Sequence, residues 1–256
     1  MILAYKQTEL FYTTKGIGNP LVLLHGFLES SKIWEPFVQE LSKKRQVICI
    51  DLPGHGKSGI IDPVHTMEIF ADAVHAVLYH LQVGKITLVG HSMGGYVSLA
   101  FCEKHPDLMG SMVLLNSTPM QDSEEKKINR TKAIALVRRN KKAFVKLAVL
   151  SLVSIESKEK FKKELNDLIK EAGNISVEGI ISALRGMKIR TNKIEVLKNF
   201  KGPKYIVASK KDPIISFNEL QMIAIDSNSI LKRLSEGHIS FLENKADVSN
   251  FLLFID

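Results

Sequence analysis

Six short apolar runs, mostly separated by sequence with helical periodicity, constrain the fold of this chain more than any other feature. They are "PLVLLHG" (20–26), "QVICID" (46–51), "KITLVGH" (85–91), "SMVLLNS" (111–117), "PKYIVASK" (203–210) and "SILKRL" (229–234). Several are continuously apolar rather than alternating, as strands covered on both faces must be. Helical patterns run over 31–43, 66–81, 92–104, 216–225 and 240–254. The segments 2–6 and 9–13 lie close enough in sequence to pair as an antiparallel hairpin at a sheet edge. The expected fold class is therefore α/β, a mostly parallel eight-stranded sheet flanked by helices.

One interval breaks this rhythm. From Met120 to Phe200 there is no strand pattern, only Lys-rich helical stretches such as "AFVKLAVLSLVS" and "EKFKKELNDLIKEA". Eighty-odd residues are far more than a connection between consecutive strands needs, so 120–200 reads as an inserted helical subdomain, with 1–119 and 201–256 forming the core. The insert also explains the charge. It carries 19 Lys+Arg against 10 Asp+Glu, while the whole chain has a net charge of +8, leaving the core near neutrality. Acids are interleaved with these cations and aromatics are sparse, unlike a nucleic-acid groove. A solvated helical face is expected, with Arg138, Arg139, Arg185 and Arg190 as candidates for drawing in an anionic small-molecule substrate.

Cys49 and Cys102 sit in apolar surroundings without metal-ligand spacing and read as buried free thiols. The first sixteen residues alternate polar and apolar, with no signal-peptide core, and no run reaches the length of a membrane span. The expectation is a cytoplasmic protein, monomer or homodimer, with no metal, cofactor, nucleic-acid or membrane partner.

The chemistry gathers at "TLVGHSMGGYVSLAF" (87–101), where Gly90-His91-Ser92-Met93-Gly94 follows a strand and opens a helix. A strand–turn–helix setting for G-x-S-x-G lifts the serine hydroxyl clear of the sheet, and the turn needs small neighbours. A serine nucleophile needs a base, and the base an orienting acid. His238, after the last strand and beside Gly237, is the best-placed base. Asp212, in "SKKDPII" after the preceding strand, is the acid; the other strand end holds Asn116, which is no carboxylate. His91 is expected to point away along the turn, and His75, His80 and His105 to be exposed or capping. Backbone N–H groups of Phe27, after "LLHG", and Met93 are placed to meet an oxyanion. Leu28, Met120, Ile214 and Ile239 are expected to line a substrate pocket. Trp34 is expected to pack within its helix. "DLPGHGKS" (51–58) narrowly misses a phosphate-binding loop, because Asp51 stands where the first glycine belongs and no helix follows closely enough.

With these motifs in place, the chain resembles the α/β-hydrolase fold family, in the group with a lid inserted after the sixth strand. "HGFLESSKIW", "DLPGHGKS", "VGHSMGG", "SKKDPII" and "GHISFLE" stand where that family has its motifs. The resemblance implies a Ser92–Asp212–His238 triad, an oxyanion hole at Phe27 and Met93, and a cap over 120–200. The implied activity is a serine hydrolase cleaving a carboxylic ester or thioester through an acyl-enzyme. A carbon–carbon hydrolase, a lyase or a non-catalytic receptor with the same pocket are the alternatives.

Overall fold

The computed structural model describes residues 1–255; Asp256, the last residue of the expected core segment, lies outside them. Eight strands form one sheet: β1 (Ile2–Tyr5), β2 (Thr8–Lys15), β3 (Asn19–Leu24), β4 (Arg45–Ile50), β5 (Ile86–His91), β6 (Met109–Leu115), β7 (Lys204–Ser209) and β8 (Ile230–Leu234). Their order is β1-β2-β4-β3-β5-β6-β7-β8. Only β2 runs against its neighbours, β1 and β4. In the parallel strands β3 and β5, every residue from Leu21 to Leu24 and from Ile86 to His91 is buried.

Helices cover the sheet in two groups. In one, α2 (Met67–His80) packs on α3 (Met93–Lys104); in the other, α1 (Glu35–Leu41) packs on α11 (Lys245–Phe254). The chain leaves β3 for β4 on one side and then crosses to β5 on the other. That reversal opens a crevice at the carboxyl ends of β3 and β5, the place where open α/β sheets take ligands.

Between β6 and β7 come five helices: α4 (Glu124–Leu150), α5 (Ile155–Lys160), α6 (Lys162–Gly173), α7 (Val177–Ile189) and α8 (Ile194–Asn199). Helix α4 is bent where Asn140 leaves helical geometry at φ −157°, ψ 82°. The Asn140 side chain accepts from the Ala143 N–H at 3.0 Å, so the residue caps the second half of the helix as a new start.

Two details depart from the sequence reading. The stretch 240–254 is two helices, α10 (Ser240–Glu243) and α11, split at Asn244. Asn244 is diverted from helical geometry because its Oδ1 accepts from the N–H groups of Ser235 and Glu236, at 3.2 and 3.3 Å. The start of 31–43 is a 3-10 turn, Ser31–Trp34, ahead of α1. Trp34 is fully buried, both cysteines are buried and free, and α9 (Phe217–Asp226) follows β7. The 51–58 turn is built around Asp51, whose carboxylate accepts from the N–H groups of Ser31 and Lys57 at 2.7 and 2.8 Å. Among the described residues no helix is long and apolar enough to cross a membrane.

Candidate active site

Strand β5 ends at His91, and the next residue adopts a conformation that side chains rarely accept: Ser92 lies at φ 49°, ψ −115°. The corner is held from outside. The Ser92 N–H donates to the Leu115 carbonyl at 2.9 Å, and Ser117 Oγ donates to the Ser92 carbonyl at 2.7 Å. Small neighbours are required by close approach: a Cβ on Gly94 would lie 2.6 Å from the Leu24 carbonyl oxygen, and one on Gly90 would strike the Gly94–Gly95 backbone.

Three loops converge on Ser92 Oγ. His238 Nε2 lies 2.9 Å from it, and His238 Nδ1 lies 2.8 Å from Asp212 Oδ2. Asp212 is anchored through Oδ1 by the N–H groups of Ile214 and Ile215, at 2.8 and 3.0 Å, and through Oδ2 by Asn116 Nδ2 at 3.1 Å. Burial pushes this carboxyl up, but His238 and the two N–H groups outweigh it and hold it below its usual range. An ionised Asp212 demands a hydrogen on Nδ1, leaving Nε2 a lone pair for the Ser92 hydroxyl to donate into.

Met93 follows Ser92 directly and Phe27 lines the same cavity as the serine, and among the described residues neither N–H donates to a protein acceptor. The loop carrying Phe27 is shaped by Leu28 at φ 65° and by Gly26, whose N–H donates to Glu29 Oε2 at 2.6 Å. The same Glu29 oxygen lies 2.9 Å from His91 Nδ1, and His91 Nε2 donates to the His238 carbonyl at 3.0 Å. Nε2 faces only a carbonyl and must carry a hydrogen, so an imidazolium paired with a carboxylate satisfies every atom. Burial opposes charge on both, yet their mutual attraction dominates: His91 is raised and Glu29 lowered. One buried ion pair thus ties the Phe27 loop, strand β5 and the His238 loop together.

These groups open into a cavity of about 430 Å³. The insert builds much of its wall: Phe144, Ala148 and Leu152 from α4 and the turn after it, and Leu184 and Met187 from α7. The Leu152 carbonyl also accepts from the His238 N–H at 3.3 Å, joining the insert to the base.

A family model described as the α/β-hydrolase fold matches residues 19–245. The chain belongs to the α/β-hydrolase fold family. Its curated relatives include the (E)-2-((N-methylformamido)methylene)succinate hydrolase of Acinetobacter baylyi, 35% identical over 105 residues. That match spans 41% of this chain and 40% of the relative. The 2-(acetamidomethylene)succinate hydrolase of Mesorhizobium japonicum is 33% identical over 110 residues, 43% of this chain and 40% of that protein. The matched stretches thus span less than half the length of these relatives. Among solved structures, a thermophilic esterase from Thermogutta terrifontis with malate bound superposes at TM-score 0.90 and 29% identity, covering 96% of this chain and 92% of the esterase. An enol-lactonase from Burkholderia xenovorans reaches TM-score 0.90 at 21% identity, over 99% of this chain and 98% of that one, a likeness of fold.

Within this α/β-hydrolase, Ser92, Asp212 and His238 are brought together, Phe27 and Leu28 line the cavity, and Ile214 lies on its rim. Met93 contributes backbone only, its side chain being fully buried in the core. Two residues expected in the pocket are elsewhere. Ile239 is 1% exposed and packs into the core, because its backbone turns at once into α10. Met120 lies outside the cavity wall, its carbonyl accepting from Arg190 Nη2 at 3.1 Å. The arginines singled out from the sequence are also displaced. Arg138 and Arg185 line a separate groove beside Ile60–Pro63, Arg139 is exposed, and Arg190 is buried against Asp122. His91, expected to be a bystander, is a buried strut. Lys126, Asn129 and Arg130, which do line the cavity, went unread; their spacing of three and four on a helix was the available signal.

Proposed function

We propose that this α/β-hydrolase cleaves a carboxylic ester or thioester of a small to medium substrate through an acyl-enzyme. The observation that carries the reading is the unbroken hydrogen-bond line from Ser92 Oγ through His238 to Asp212, opening into a cavity that Ser92 and His238 both line. Ser92 Oγ attacks the carbonyl carbon while His238 Nε2 takes its proton, and Asp212 stabilises the imidazolium that results. The N–H groups of Phe27 and Met93 meet the oxyanion as charge develops on it. Collapse expels the alcohol or thiol, which receives the proton from His238. Water, deprotonated by the same imidazole, then attacks the acyl carbon, releasing the acid and restoring Ser92. Residues 120–200 act in this scheme as a cap: the apolar side chains of α4 and α7 exclude bulk water and bound the acyl group.

Hydrolysis of p-nitrophenyl esters from acetate to laurate, wild type beside Ser92→Ala, tests the reading. Turnover that the substitution lowers by roughly 10³-fold or more is expected, a range set by the loss of a triad member. A folded wild-type protein that turns over none of these esters overturns ester hydrolysis and favours a carbon–carbon hydrolase, a lyase or a receptor.

A further inference from the structure

The cavity wall is chemically divided, and the division runs along α4. Beyond the Asn140 bend, Phe144 and Ala148 present an apolar surface that continues through Leu152 to Phe27, whose ring centroid lies 6.4 Å from that of Phe144. Before the bend the wall is cationic. Lys126, Asn129, Arg130 and Ala133 all line the cavity, and positions i, i+3, i+4 and i+7 form a single helical face. Their neighbours Glu124 and Glu125 are exposed and do not line it.

Charge accounting at this wall leaves a surplus of cations. Glu29 is matched by His91. Asp122, fully buried at its side chain, holds two guanidinium groups, those of Arg130 and Arg190. Burial pushes the Asp122 carboxyl up, but the two arginines outweigh it and keep it ionised. One of those two positive charges is therefore uncompensated. Lys126 adds another: its backbone N–H donates to Ser123 Oγ, but among the described residues its Nζ has no carboxylate or hydrogen-bond partner. Arg130 contacts Asp122 through Nε and Nη2, which fixes the plane of its fork while leaving Nη1 without a protein acceptor among the described residues. Arg190, on the far side of Asp122, stacks on the Tyr96 ring with Cζ 4.0 Å from the centroid. Tyr96 lines the same cavity one helical turn beyond Ser92, so the Asp122 cluster adjoins the cavity that holds the nucleophile.

We infer that Lys126, Asn129 and Arg130, which line the cavity that holds Ser92, form a subsite for a carboxylate that the substrate carries. A positioned guanidinium with a free N–H, an ammonium and a primary amide supply the donors that a planar carboxylate takes in its own plane. The apolar wall then receives the rest of the molecule. The substrate class is an ester or thioester that is also a carboxylic acid. This deepens the ester reading above and rests on it.

The test compares charged esters with neutral partners of similar size: p-nitrophenyl hemiglutarate with p-nitrophenyl valerate, and 4-acetoxybenzoate with phenyl acetate. The first pair carries the charge in the acyl part and the second in the leaving group. In at least one pair the charged ester should lead by tenfold or more in kcat/KM. Lys126→Gln, at an exposed position where folding is safe, should cut that ratio by tenfold, and Arg130→Lys should cut it less than Arg130→Gln. Raising the salt concentration should raise KM for the charged ester selectively. Equal or better turnover of the neutral ester in both pairs, or a ratio unmoved by Lys126→Gln, overturns the subsite. If no ester is turned over, the ester reading fails by itself, and calorimetric titration with glutarate decides the subsite. Binding that Lys126→Gln weakens tenfold upholds it, and no binding to the wild type overturns it.

Discussion

At Ser92 the backbone is held where an L-residue is strained, by hydrogen bonds from Ser117 and to Leu115 that straddle the corner. The chemistry assigned to it depends on His238 keeping one tautomer, which Asp212 enforces. Asp212→Asn removes that control while preserving shape, and kcat should fall by roughly 10⁴-fold in steady-state assays with little change in thermal midpoint. Glu29 and His91 act through position rather than contact with substrate. Removing one partner of a buried ion pair leaves the other charge uncompensated, so Glu29→Ala should cost about 3 kcal/mol in urea denaturation. It should also lower kcat more than it raises KM, because the loops of Phe27 and His238 lose their common tie. A variant with unchanged kcat would show that the pair only stabilises the fold. At this scale the sequence was readable where chemistry dictates residue type: serine, histidine and aspartate in the right order after strand ends. It was unreadable for His91, because an imidazole beside the nucleophile looks the same whether its ring faces solvent or a carboxylate sixty-two positions away.

Elements were legible wherever local periodicity and burial agree. The strands came within a few residues of their true ends, and helices α2 and α3 emerged almost whole. The break at Asn244, inside the expected helix 240–254, and the bend at Asn140 have one cause. An asparagine side chain competes for backbone hydrogen bonds, and whether it bends a helix depends on what lies within reach. Asn244 reaches the Ser235–Glu236 backbone across the chain, which no periodicity reveals. The junction of β5 and α3 offers a direct test of element packing. Gly94→Ala should gain helix propensity of about 1 kcal/mol. It must also place a methyl group 2.6 Å from the Leu24 carbonyl oxygen, a backbone atom that cannot step aside. The clash should win, with net destabilisation of about 1–3 kcal/mol in thermal or urea unfolding. A neutral or stabilising result would mean that β3 and α3 shift apart more freely than their packing implies.

For the whole molecule, buried histidines set the response to pH. Burial lowers His55 to about 3 and His65 to about 4, and His65 Nε2 accepts the Ile61 N–H at 3.1 Å, which needs the neutral ring. The unfolded chain binds these protons near 6.5 and the folded one does not, so between 6.5 and about 4 unfolding takes up protons. Stability should fall as pH drops through that window, by about 2 kcal/mol for each histidine between pH 7 and pH 5. Urea midpoints across this range check it, and a flat profile would mean that the two rings are protonated in the folded state. The sequence by itself determined the α/β class, the strand order of the chemistry and the insert between the sixth and seventh strands. These rest on hydrophobic period and turn residues, which act over a few neighbouring positions. Only the tertiary structure decided that Glu29 meets His91, that Asn116 supports Asp212, and that Met120 and Ile239 stay out of the cavity. It also decided that Lys126 and Arg130, rather than the arginines further along the insert, line the cavity that holds Ser92. The physical reason is that burial, charge pairing and the direction of a side chain are set by what packs against it, and those partners lie tens to hundreds of residues away in the chain.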